Sequence, residues 1–155
     1  MPANGSRSLD RIFRTLYGLM RSRHLPRPDR LVISTRSRSA HAEFTTGTPP
    51  DLLAAALLWC TGLHGISLAW THRPGGVLAL AATGRTAGGV CLGLACSVPL
   101  SGLAARVVDL GPTRVVTLAG AFRLAEHATD TATFDEVAHL VAASRAASTG
   151  AEVAA

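Results

Sequence analysis

The sequence predicts an α+β domain: a mostly antiparallel sheet of about five to six strands, covered by helices on one side, with an amphipathic helix at the N-terminus. Three observations predict it. Runs with period-two alternation of β-branched and apolar residues are separated by Gly- and Pro-containing turns, as in "GISLAWTHRPGGVLALAATG". Two stretches, "TPPDLLAAALLWCTG" and "TFDEVAHLVAASR", carry helix-start signals. Strands and helices follow one another without a βαβ repeat, which favours an antiparallel sheet over a doubly wound one.

Apolar residues make up 48% of the 155, enough for a core, and aromatic residues only 5%, so that core is built from Ala, Leu and Val. Charged residues are 16%, against about 25% in an average domain. Much of the surface is therefore Ser, Thr, Gly and Ala, a composition that favours association with a partner or with itself.

The elements follow in order. Leu9, Ile12, Phe13, Leu16, Leu19 and Met20 recur at steps of three and four, which predicts a helix over 8–24 with Ser8 as its cap and residues 1–8 as a disordered lead. Pro26 and Pro28 end it in a stiff linker, dividing an N-terminal segment (1–28) from a single domain (29–147) and a frayed tail (148–155). Leu31–Thr35 and Ala40–Thr45 read as two strands around a polar turn at Ser37–Ser39. Thr48 caps a helix over 49–61, Pro49 takes its first position, Asp51 faces the positive end of its dipole, and Gly62 supplies a left-handed stop.

Ile66–Thr71 and Val77–Leu80 form a hairpin around Pro74-Gly75-Gly76, and Val90–Ser97 is a further strand after the "GRTAGG" turn. The small residues alternating in that strand, Cys91, Gly93 and Ala95, imply close approach by a neighbour. Leu100, Leu103, Ala104 and Val107 fit a helical stripe stopped by Gly111-Pro112. A strand follows at Arg114–Leu118, and Thr133 with Glu136 forms a capping box for the last helix.

Function is read largely from charge and from what is missing. Residues 1–38 carry nine arginines against two aspartates, whereas 39–155 carry six against eight acids. The net charge of +5 thus belongs to the front end. Arg7, Arg11, Arg14, Arg21 and Arg23 are the expected contacts for nucleic acid or another acidic partner. Leu9, Ile12, Phe13, Leu16 and Leu19 are the expected contacts for a protein partner, because an arm that only touches phosphates has no need of an apolar stripe in register. An Arg-rich amphipathic segment also fits organelle targeting or a membrane-surface helix.

No secretory signal is visible, and three cysteines do not make a disulfide framework, so a cytoplasmic setting is expected. Leu52–Thr71 and Thr86–Ala105 are uncharged over a spanning length, yet Gly, Pro, Ser and His interrupt them, so membrane spans are not expected. Cys91 and Cys96 lie five apart with no second ligand pair, which argues against zinc. No nucleophile motif or paired carboxylate is present, and Asp135 and Glu136 are explained by helix capping. The "TGRTAGG" stretch lacks the phosphate-loop spacing, though Arg85 could meet an anion there. The expectation is a non-enzymatic binding, assembly or regulatory protein, without cofactor or catalytic residue, that self-associates or holds a protein partner. A nucleic-acid-binding regulator is the alternative. A small-molecule or enzymatic pocket beside the Gly-rich strand at Gly93 is the third reading.

Overall fold

The computed structural model describes residues 3–154 and is an α+β fold. The chain runs α1 (Ala3–Arg23), β1 (Arg30–Ser34), β2 (Ser39–Phe44), α2 (Pro49–Cys60), β3 (His64–Arg73), β4 (Val77–Arg85), β5 (Cys91–Pro99), a 3-10 turn at Leu100–Gly102, β6 (Ala105–Leu110), β7 (Thr113–Leu118), β8 (Phe122–Ala125), β9 (Thr129–Ala132) and α3 (Phe134–Ala154). Six strands form one sheet in the order β1-β2-β5-β4-β3-β9, antiparallel except where β2 runs parallel to β5. β6, β7 and β8 form a separate three-stranded meander.

The helices cover one face of the large sheet. Alternate side chains on that face are buried: Ala40, Ala42 and Phe44 on β2, Leu68 and Trp70 on β3, Leu78, Leu80 and Ala82 on β4, and Leu92, Leu94, Cys96 and Val98 on β5. α2 packs on β2, β4 and β5 and against α3. α1 contributes Ile12 and Leu16 to the same core, and Leu25 of the following linker joins them. β8 reaches the core beside β3, where Trp70 meets Phe122 with ring centroids 5.8 Å apart and His72 Nδ1 lies 3.4 Å from the Leu124 carbonyl.

The local signals explain most elements. The Thr48 hydroxyl accepts the Asp51 N–H at the start of α2. Thr133 and Glu136 cap α3 reciprocally, each backbone N–H 3.1 Å from the other's side-chain oxygen. Gly75 and Gly76 adopt φ of 86° and 71° in the β3–β4 turn, a region closed to most other residues.

Four expectations need correction. α1 begins at Ala3, so residues 3–8 of the expected disordered lead are helical, residues 1–2 of it lie outside the described residues, and Ser8 lies inside the helix and is not its cap. Gly62 has no left-handed φ; it is needed because a Cβ there would lie 2.9 Å from Leu19 Cδ1, where α1 crosses the end of α2. The stretch from Leu100 to Val107 is one 3-10 turn and then β6, because Val107 and Val108 pair with Val116 and Val115 and Gly111-Pro112 is the hairpin turn. α3 continues through the stretch expected to fray, up to Ala154. Among the described residues, no helix is long and apolar enough to cross a membrane.

Candidate functional site

α1 spreads the predicted apolar stripe over two flanks. Ile12 and Leu16 are buried in the core, and Leu19 is half-buried against Gly62. Leu9 and Phe13 face outward at 42% and 50% exposure, and Tyr17, 43% exposed, extends them one turn further. The Phe13 and Tyr17 rings stack 6.1 Å apart at 16°, and Arg21 places its guanidinium carbon 5.4 Å from the Tyr17 centroid. An apolar row at i, i+4 and i+8 with a cationic end is thus left uncovered by the described residues. Tyr17 was absent from the sequence-derived contact set, although its four-residue step from Phe13 could have placed it there.

The predicted arginine set also divides. Arg7 and Arg11 line a cavity of about 380 Å³ with Ser8, Ile12 and Thr15 of α1, Arg38 of the β1–β2 turn, and Gly88 and Val90 of the β4–β5 loop. Arg14 and Asp10 lie on the adjoining groove with Arg7 and Arg11. Arg21 is engaged with Tyr17, and Arg23 Nη1 donates to the Thr61 carbonyl at 3.1 Å. Arg38 has φ of 51° and its carbonyl accepts the Cys91 N–H. The β4–β5 loop is closed by Thr86, whose buried hydroxyl accepts the Val90 N–H while its carbonyl accepts that of Gly89. Gly88 faces Thr15 of α1 closely enough that a Cβ would meet its side chain at 3.7 Å. In the sequence Arg38 is only a charge, and the Gly-rich loop is a turn at which Arg85 is the expected anion contact; no local signal joins Arg38 and Gly88 to Arg7.

Among the described residues, no helix lies on the second face of the large sheet. Across its middle runs the row Glu43, Ala95, Ala81, Ala69 and Thr131, and beside it His41, Gly93, Thr83 and Ser67. Gly93 is small because His41 lies over it, with Nδ1 2.9 Å from where a Cβ would sit. Near it is a shallow hollow of about 280 Å³ lined by Ser39, Gly65, Thr83, Arg85, Cys91 and Gly93 among others. Arg85 belongs to this hollow and not to the arginine cavity.

Burial pushes the Cys60 thiol up to about 11 and the Cys96 thiol up to about 12, so neither is a ready thiolate. Among the described residues, no three His, Cys, Asp or Glu side chains are grouped to hold a metal ion. Exposed His127 and half-buried Glu126 form a pair at 3.5 Å. Comparison with known proteins finds no family model that matches the chain, no curated relative and no similar solved structure.

Proposed function

We propose that the protein acts by binding, as a non-enzymatic assembly or regulatory protein that makes protein–protein contacts and self-associates. The observation that carries this reading is the row Leu9, Phe13 and Tyr17. Three large apolar side chains, each more than 40% exposed, stand in line on a helix whose other apolar residues already serve the core. Such a row fits an apolar groove in the helix-in-groove manner. The helix-free sheet face, small and apolar along Ala95, Ala81 and Ala69 and charged at its rim by Arg30, Glu43, Arg73 and Arg85, is a second surface for the same purpose. Six strands at about 4.8 Å spacing make it roughly 24 Å wide, on the order of 600 Å² in area. That approaches the ~800 Å² per partner of a standard interface.

The mass of the full chain in solution, beside Phe13→Asp and Ala81→Arg, tests this. An oligomer that Phe13→Asp dissociates supports docking through α1; one that Ala81→Arg dissociates supports stacking through the sheet. A single monomeric mass for all three would sink self-association.

Nucleic-acid binding is the second reading, favoured by the concentration of arginine in α1 and the β1–β2 turn. It requires affinity for duplex or single strands that falls steeply with salt.

A further inference from the structure

The arginine cavity beside α1 has a chemistry of its own. By helical geometry at 100° per residue, Arg7, Arg11 and Thr15 lie on one side of the buried Ile12–Leu16 stripe, and Leu9, Phe13 and Tyr17 on the other. Occupation of the cavity is therefore separate from docking on the aromatic row.

Arg7 and Arg11 stand one turn apart, a spacing that brings the Cβ atoms within about 5–6 Å and sets like charges against each other. The fold adds Arg38 as a third cation from a turn distant in sequence. No carboxylate lines the cavity, and among the described residues none of these three guanidinium groups makes an ion pair. Gly88 and Val90 of the β4–β5 loop complete the lining, and Gly88 brings no side chain into it. Guanidinium forks match the oxygens of phosphate in paired hydrogen bonds.

We propose that this cavity binds the diphosphate end of a small phosphorylated molecule. Three converging cations balance the roughly three negative charges of a diphosphate, where a monophosphate would leave charge uncompensated. The concave shape suits a terminal group. A nucleic-acid backbone needs a continuing track, and the track is broken where Asp10 enters the adjoining groove and where Arg21 and Arg23 are engaged elsewhere.

The full chain is titrated calorimetrically with inorganic pyrophosphate, and in parallel with orthophosphate, sulfate and a single-stranded oligonucleotide. Saturable one-to-one binding of pyrophosphate is expected, weaker by at least tenfold for orthophosphate and sulfate. Arg11→Gln and Arg38→Asn each weaken it by tenfold or more; asparagine tolerates the left-handed conformation at 38, so the turn is preserved. Arg106→Gln, outside the cavity, leaves it unchanged, and equal thermal midpoints confirm that the variants fold. Pyrophosphate binding indifferent to both cavity variants, or no saturable binding at millimolar concentration, overturns the proposal. Oligonucleotide binding that loses as much to Arg21→Gln and Arg23→Gln as to Arg11→Gln also overturns it, in favour of a nucleic-acid arm.

Discussion

The indole N–H of Trp59, in the last turn of α2, donates to the carbonyl of Pro26 at 2.8 Å. Pro26 lies in the linker that follows α1, so this bond fastens the N-terminal helix to the helix beneath it. Trp59 is 1% exposed and also tilts against Phe44 of β2. Trp59→Phe keeps most of the packing and leaves the Pro26 carbonyl without its donor. The expected cost is about 1–3 kcal/mol in denaturant unfolding, with faster proteolysis in the 24–29 linker than in the parent chain. Unchanged linker proteolysis would show that the apolar contacts of Ile12 and Leu16 hold α1 unaided.

Leu16 and Phe13 look alike in the sequence pattern and differ in the fold. Leu16→Ala removes a buried side chain from the core and should cost about 2–5 kcal/mol. Phe13→Ala removes an exposed ring and should change stability by no more than about 0.5 kcal/mol. Thermal unfolding of the two variants separates them; equal losses would mean that Phe13 is covered in solution.

Ser144 joins α3 to the segment leading into β6. Its buried hydroxyl donates to the Leu140 carbonyl at 2.6 Å and accepts the Ala104 N–H at 2.8 Å. Ser144→Ala frees the helical carbonyl harmlessly but strands a partly buried backbone donor. A loss of about 1–3 kcal/mol is expected, and hydrogen exchange at the Ala104 amide should quicken.

The three thiols should react in two classes. Cys91 is half-buried on the bare sheet face, whereas Cys60 and Cys96 are buried and their thiols pushed up to about 11 and about 12. A disulfide reagent at neutral pH should titrate one cysteine quickly and two slowly. Three fast thiols would contradict the packing around α2. Slow reaction at all three in an oligomer, restored by Ala81→Arg, would place the sheet face in the interface.

Acid should loosen the joint between β1 and β2. Asp29 Oδ2 accepts the backbone N–H groups of Thr45 and Thr46 at 2.6 and 3.0 Å, which holds its carboxyl below the ordinary value of 3.8. Asp51 is held low in the same sense by the Arg145 guanidinium, 2.9 Å away, and then by Thr48. A folded value below the unfolded one means stabilisation that is present above the unfolded value and is lost as pH falls through the folded one. The thermal midpoint should therefore decline below about pH 4, and Asp29→Asn with Asp51→Asn should flatten that decline. A parallel decline in the double variant would assign the acid limb to other carboxylates.

The sequence made the β1–β2 and β3–β4 hairpins and both capped helices legible, because each depends on nearby residues: Thr48 before Pro49, Gly75-Gly76 between two alternating runs, Thr133 before Glu136. It misled at Leu100–Val107, where a helical spacing of apolar residues coincided with strand chemistry. Val107 and Val108 were the contrary signal, and their cross-strand partners Val116 and Val115 decided the outcome. β9, "TDTA", is polar and four residues long, so its pairing with Leu68–Thr71 leaves no apolar trace. The arginine cavity was half legible. Arg7 and Arg11 stood out as charge, yet Arg38 and Gly88 join them only through the fold, a relation that no local spacing encodes.

The parallel pairing of β2 with β5 has a kinetic consequence. Ala42 sits opposite Leu94, with α2, β3 and β4 all lying between them along the chain. The β1–β2 hairpin can form early from local contacts, but its place in the sheet does not exist until β5 has docked on β4. On a ribosome that hairpin must wait, with Ala42 and Phe44 uncovered, through the synthesis of everything up to Pro99. Folding should therefore fall at the slow, millisecond-to-second end of the range for chains of this size, and a refolding intermediate lacking only α1, β1 and β2 is the species in which apolar surface would draw chains together.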